Sequence, residues 1–273
     1  KHEATLTADK VTRIGYGFVE WLQKDKNINL NSEKKVKIAI GQDSRLSGGD
    51  IKTALMAGMA PFAIEIVDVG LSTTPAMFMS TQYKDYATDA AIMITASHLP
   101  FEYNGLKFFT KTGGAEHEDI EAILEYAYEM PEAFAEEEQT AVVTEMDLLS
   151  TYAADLQEKI RKGIASAENP EKPLTGRHII VDAGNGAGGF FVERVLQPLG
   201  ADTSGSQFLD PDGTFPNHVP NPDNKAAMKS IQDAVIANKA DLGIIFDTDV
   251  DRSAIVDSDG KAFNRNNLIA LIS

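Results

Sequence analysis

Three carboxylates at alternate positions, Asp247, Asp249 and Asp251, are followed at once by Arg252 in the segment Phe246-Asp247-Thr248-Asp249-Val250-Asp251-Arg252. They come directly after the apolar run Leu242 to Phe246, at the C-terminal end of an expected buried strand, where open α/β sheets bind their ligands. If the backbone turns there, three acids that would otherwise repel can share one hard cation, and a Mg²⁺-type ion is the natural counter-charge. The plainer alternative is an acidic turn with solvated side chains. A second segment, Thr95-Ala96-Ser97-His98-Leu99-Pro100, ends another apolar run and would expose the Ser97 hydroxyl as a nucleophile at a strand end. His98 alone suits a hydrogen-bonding neighbour better than a base. With no acid partner for a Ser–His–Asp triad and no G-x-S-x-G elbow, acyl-transfer hydrolysis ranks low.

Within ten residues of Ser97, Tyr103-Asn104-Gly105-Leu106-Lys107 carries an Asn-Gly tight turn that returns the chain as a hairpin. Lys107 could thereby hold a phosphate or shuttle a proton near Ser97, or be an ordinary surface lysine. Arg45, in Gly41-Gln42-Asp43-Ser44-Arg45, sits between an expected strand and helix, where a guanidinium suits bidentate phosphate contact. Gly184, Gly186 and Gly189 spell G-x-G-x-x-G after His178-Ile179-Ile180-Val181-Asp182-Ala183. Such a loop can cradle a dinucleotide pyrophosphate, as in a nicotinamide-dependent oxidoreductase, but it serves close strand-to-helix packing equally well.

The elements that must position these residues follow from hydrophobic periodicity. Val11, Ile14, Gly15, Phe18, Val19 and Leu22 mark one face of a helix over residues 8 to 24, with Thr7 as its N-cap. Strands are expected at Val36 to Ile40, Ile64 to Val69 and Ala90 to Ile94; the last shows no polar alternation and is buried on both faces. Helices are expected after Ser47, bearing Ile51, Leu55 and Met59, and from Thr74-Pro75 onward. The Asp- and Glu-dense stretch from 116 to 147 reads as a solvated helix face and loop. A helix over 147 to 162 and a polar linker over 167 to 176 lead to a second series: strand His178 to Val181, helix Gly189 to Leu199, strand Leu242 to Phe246. Strands alternating with helices at this pace imply an α/β fold of two consecutive domains, 1–150 and 151–273, with mainly parallel mixed sheets.

Composition narrows the chemistry. The 273 residues suit two domains at about 150 residues each. Against 25 Lys and Arg stand 41 Asp and Glu, a formal net charge of −16, which repels polyphosphate and argues against a nucleic-acid partner. No apolar run approaches the ~18 residues of a membrane span, and the polar opening Lys1-His2-Glu3 reads as no secretory signal, so a cytoplasmic setting is expected. The absence of cysteine removes disulfides, thiolate catalysis and Cys–zinc sites.

TASHLP, the GQDSR loop, YNGLK and DTDVDR occur in an order that resembles the α-D-phosphohexomutases, the phosphoglucomutase and phosphomannomutase family. The likeness spans essentially the whole chain, including DAGNGAGG and PDGTFPNHVPNP. It implies that Ser97 carries a phosphoryl group as phosphoserine, and that Asp247, Asp249 and Asp251 hold Mg²⁺ together with an oxygen of that group. It also implies that Arg252 and Lys107 lie near the transferring phosphate, Lys107 as a candidate general acid/base, while His98 orients Ser97 or its neighbours. The reaction implied interconverts hexose 1- and 6-phosphates of the glucose or mannose type through a bisphosphorylated sugar. Two departures stand out: Leu99 where the family commonly has asparagine, and Thr248 and Val250 where small residues are usual. Neither removes a nucleophile or a ligand, so both are expected to tune loop shape. Members of the family have four domains, so the chain is expected to be the first two of a longer enzyme. A non-catalytic phosphosugar- or metal-binding module is the alternative.

Overall fold

The computed structural model describes residues 5–32, 34–134 and 138–264. Residues 135–137 of the acidic run and 265–273 at the end of the second expected domain lie outside the described residues. The chain divides into two units, the first formed by Lys1–Gln42, Ser47–Ala96 and Tyr103–Asp147, the second by Asp43–Leu46, Ser97–Glu102 and Leu148–Ser273.

In the first unit a six-stranded mixed sheet has the order β5-β4-β3-β1-β2-β6. β1 (Val36–Gln42) runs parallel to β2 (Ile64–Leu71) and β3 (Ala90–Ile94), and β3 is buried along its whole length. The Asn-Gly turn reverses the chain into β4 (Leu106–Thr110), antiparallel to β3, and β5 (Gly113–Gly114) extends that edge. Helices α1 (Ala8–Lys24), α2 (Gly48–Met59), α3 (Thr74–Ser80) and α4 (His117–Glu129) complete the unit. The start signals act as their residue types imply: the Thr7 side chain accepts from the Lys10 N–H, and Thr73 does the same for Ala76 with Pro in the first turn of α3. Val11, Phe18 and Leu22 on α1 pack with Leu55 and Met59 on α2 and with Ile38, Ile64, Ile92 and Phe108 on the sheet. Not every strand was legible. β6 (Val142–Glu145) pairs parallel to β2 inside the acidic stretch read as helix and loop, with Val142 and Val143 exposed as on an edge strand.

In the second unit β7 (Ile179–Asp182) is parallel to β8 (Leu242–Phe246), and β9 (Ser253–Asp257) returns antiparallel to β8. α6 (Lys225–Asn238) covers one face through Ile231 and Val235, packed on Ile180, Ile245 and Val256. The helix expected over Gly189 to Leu199 takes another form: a 3₁₀ turn, Ala187–Gly189, and then a π-helical turn, Val192–Leu196. The Gln197 N–H reaches the Val192 carbonyl at 3.0 Å, five residues back. With that wider turn Val192 and Leu196 pack with Ile179, Val181 and Phe246, while Val195 packs on Ala153 of α5 (Leu148–Ile164).

Candidate active site

The Asp-rich segment is the six-residue loop of the β8–β9 hairpin, whose last ladder pair is Phe246 with Ser253. Asp247 closes the loop from both sides: its N–H donates to the Arg252 carbonyl at 3.1 Å, and its Oδ1 accepts from the Arg252 N–H at 3.0 Å. Val250 holds a φ of 61°, which is costly for a β-branched residue and is tolerated here because its side chain packs beside Phe246. Asp247 and Asp249 are buried and Asp251 is more exposed; one oxygen from each lies within 4.8 Å of the others. Burial, reinforced by the charges of Asp249 and Asp251, pushes the Asp247 carboxyl up to about 7, against the opposing pull of the Arg252 N–H and guanidinium. The Thr248 hydroxyl is also buried and makes no hydrogen bond. Three hard carboxylate oxygens this close together could hold a metal ion.

Ser97 joins this cluster. Its Oγ donates to Asp247 Oδ2 at 3.2 Å, and Arg252 Nη2 approaches the same Oγ at 3.4 Å. Arg252 also donates from Nε and Nη2 to Asp247 Oδ2, both at 3.1 Å, and its Nη1 lies 3.5 Å from Asp223 Oδ2. The His98 ring Nδ1 is 3.5 Å from Ser97 Oγ. Ser97 itself adopts a left-handed φ of 52°, an uncommon conformation for serine and one that concentrates at functional loops.

Arg45 occupies a different place from the one a phosphate contact requires. Its side chain is buried, as is that of Asp43, to which its Nε donates at 3.2 Å. Its two terminal nitrogens donate to the carbonyls of Ser97 (2.6 Å), Leu99 (2.8 Å) and Pro100 (2.7 Å). Neutral backbone acceptors and one carboxylate, not a ligand anion, take up its fork. Lys107 belongs to the first unit, on β4 opposite Met93, with its ammonium 3.5 Å from Thr74 Oγ1. Asn104 of the same turn donates to Ser47 Oγ at 3.0 Å, at the start of α2.

The glycine motif serves packing. A side chain on Gly186 would meet the Thr248 carbonyl at 2.7 Å, and one on Gly189 would strike the Leu209 carbonyl. The Ala187 N–H donates to Thr248 O at 2.8 Å, so this turn is the floor of the Asp loop. A short 3₁₀ turn and a π-helical turn follow, not the long regular helix whose N-terminus a pyrophosphate cradle uses.

Sequence reasoning passed over Asp43, Phe215, Asp182 and His218. The His218 ring lies 2.9 and 3.0 Å from the two Asp182 oxygens, and Gln207 donates to Asp182 at 2.8 Å. Burial opposes charging of His218, but the hydrogen bond and charge of Asp182 outweigh it and hold its pKa above the usual value. The available signal was that Asp182 stands at the end of an apolar strand, as Asp247 stands directly after one.

The chain matches the family model for phosphoglucomutase/phosphomannomutase α/β/α domain I over residues 1–133, and that for domain II over residues 150–260. The chain belongs to the phosphoglucomutase/phosphomannomutase family. It is 28% identical to a phosphoglucomutase/phosphomannomutase of Thermococcus kodakarensis, over 98% of this chain and 55% of the relative. It is 30% identical to a phosphoglucosamine mutase of Chromohalobacter salexigens (99% of this chain, 56% of the relative) and 33% identical to a phosphoglucomutase of Neisseria meningitidis (82% and 45%). A crystal structure of a family protein from Burkholderia thailandensis superposes with a TM-score of 0.79 at 26% identity, covering 98% of this chain and 55% of that one. The chain thus spans about half the length of the curated relatives it matches. The α/β class and the mixed sheets agree with the family's two domains. Glucose, mannose and glucosamine all occur in the relatives' names, so family membership establishes a phosphohexomutase scaffold and not one sugar. No described helix is long and apolar enough to cross a membrane.

Proposed function

We propose that the chain carries the phosphoserine and metal loops of a phosphohexomutase acting on hexose phosphates of the glucose or mannose type in the cytoplasm. Residues 1–150 would form the phosphoserine domain and residues 151–273 the metal-loop domain. The observation that carries the reading is the meeting of Ser97 Oγ with Asp247 and Arg252 across 150 and 155 residues of chain. In this reading the P–O bond to phospho-Ser97 Oγ breaks as a new P–O bond forms to a sugar hydroxyl; the hydroxyl proton passes to a base, and the departing Ser97 Oγ takes up a proton to become a hydroxyl again. The bisphosphorylated sugar then reorients and returns its other phosphoryl group to Ser97. Asp247, Asp249 and Asp251, with Ser97, would hold Mg²⁺, which supplies charge neutralisation for a phosphoserine of nearly two negative charges. Arg252 would stabilise charge on the moving phosphoryl group from its place beside Ser97 Oγ. His98 would steady the hydroxyl, and Lys107 is assigned the proton transfer that its N-G-x-K turn implies.

Phosphoryl loading is the test. The protein incubated with Mg²⁺ and glucose 1,6-bisphosphate should gain one phosphoryl group, mapped to Ser97, and Ser97→Ala should gain none. A cation titration abolished by Asp249→Ala, with no phosphoryl group on wild-type Ser97, would favour the binding module instead.

A further inference from the structure

Arg45 is the largest charged side chain in the core of the second unit, and its position answers a question that the nucleophile raises. Ser97 adopts a left-handed φ of 52° in an exposed loop, a conformation that persists only where surrounding contacts enforce it. Asp43, Arg45 and Phe215 supply them. The Asp43 carboxylate accepts from the Arg45 N–H at 2.9 Å and from its Nε at 3.2 Å, fixing the guanidinium plane. The Phe215 ring lies 5.3 Å from the guanidinium carbon. Held this way, the fork reaches the carbonyls on Ser97, Leu99 and Pro100 at 2.6 to 2.8 Å. Three carbonyls in a four-residue stretch cannot all point at one planar cation unless the chain bends, and the bend is the left-handed turn at Ser97. Gly213 completes the assembly: a side chain there would strike the Ser44 carbonyl and meet the Leu46 nitrogen at 2.6 Å and the Arg45 Cα at 2.8 Å.

We propose that Arg45, locked by Asp43 and Phe215, is a positioning residue that bends the Ser97–Pro100 loop and so aims Ser97 Oγ at Asp247 and Arg252, without contacting substrate. The proposal rests on the phosphohexomutase reading for its catalytic consequence but not for its geometry. It also explains the Asp-x-Arg spacing of the GQDSR loop, because a carboxylate two residues before the arginine can accept from both its N–H and its Nε. Lysine cannot substitute, since a single ammonium offers neither the plane nor the spread of donors that the carbonyls use.

The test uses the full chain and compares wild type with Arg45→Lys, Arg45→Ala and Gly213→Ala. Two quantities are followed: the rate of Ser97 phosphorylation by glucose 1,6-bisphosphate, and the affinity for Mn²⁺ as a probe of the Asp cluster. Displacing a reacting atom by about 1 Å costs on the order of 100-fold in rate, so the two arginine variants should load Ser97 about 100-fold more slowly. Gly213→Ala should slow loading in the same direction. Mn²⁺ affinity should fall far less than the loading rate, because three of the four proposed ligands, the carboxylates, are positioned by the β8–β9 hairpin and not by Arg45. Added guanidinium ion should restore at least about tenfold of the rate to Arg45→Ala and none to wild type, which a merely structural loss would not show. If Arg45→Ala does not fold, Arg45→Lys decides: loading within about threefold of wild type overturns the proposal. So does a folded Arg45→Ala that guanidinium leaves unrescued. Hydrogen exchange keeps the two readings separable, because it needs no turnover. Amides of residues 97 to 102 should exchange at least about tenfold faster in Arg45→Lys than in wild type. If wild-type Ser97 takes no phosphoryl group, accelerated exchange upholds the clamp while the mutase reading fails; unchanged exchange overturns the clamp.

Discussion

Asp247 carries opposing demands. It is the loop's keystone, the neighbour of Ser97 Oγ, and one of three acids whose charges disfavour one another. The buried carboxylates raise the free energy of the site as long as no cation balances them, so removing one should relieve the fold and damage the site together. Asp249→Asn is expected to raise the thermal midpoint of metal-free protein, with a gain of about 1 kcal/mol, and to abolish Mg²⁺-induced stabilisation. A scanning calorimeter with and without Mg²⁺ would decide; retained Mg²⁺ stabilisation would remove the site assignment. Val250 sets a subtler balance. Its left-handed φ costs about 1–3 kcal/mol and its partial burial returns a comparable amount. Val250→Gly should therefore change stability by less than about 1 kcal/mol, whereas deleting a buried valine from an ordinary strand costs about 3 kcal/mol. Urea denaturation resolves that difference.

Between residues and fold, the β7 and β8 ends act as a pair. β7 finishes on a buried aspartate, Asp182, and β8 is followed at once by another, Asp247, while the glycine turn after β7 supports the loop after β8. Gly186→Ala forces its new methyl into the backbone of Thr248, so it should cost about 1–3 kcal/mol and weaken cation binding about tenfold or more. Isothermal titration with Mn²⁺ would read the second effect, and unchanged affinity would separate the two loops. The Asp182–His218 pair joins β7 to the 208–220 segment and makes stability pH-dependent. The pKa of His218 is raised on folding, so the pair's contribution is complete below the unfolded value of about 6.5 and is lost as pH rises through the folded one. Wild type should thus lose stability relative to His218→Gln between pH 6 and pH 9, and equal slopes in urea melts would refute the pairing.

At the scale of the molecule, each unit has its own sheet and core, yet the segments Asp43–Leu46 and Ser97–Glu102 belong to the second unit although β1 and β3, which precede them, belong to the first. Cation binding should accordingly act on the second unit alone. Mg²⁺ is expected to slow amide exchange in residues 247 to 252 and 97 to 102 while β1 and β2 stay within about twofold of their metal-free rates. Equal protection of both sheets, or none, would contradict that division.

Local chemistry made much of this legible in advance. Apolar runs without alternation specified β1, β3 and β8, Thr7 and Thr73 marked helix starts, and the acids directly after β8 marked a cluster that could hold a cation, because each of these signals acts within a few residues. β6 was hidden, since an edge strand among acids lacks a hydrophobic face of its own. Long-range contacts were hidden for a different reason. That Arg45 would be enclosed by carbonyls 52 to 55 residues away, rather than open to a phosphate, depends on how two loops fold back on the second unit. The same holds for G-x-G-x-x-G, whose glycines are required by the backbones of Thr248 and Leu209. Sequence alone determined which strands form and which acids and hydroxyls stand just after their ends. Tertiary structure decided what each cation and glycine faces, because a guanidinium or a missing side chain acquires its role only from the groups that packing brings against it.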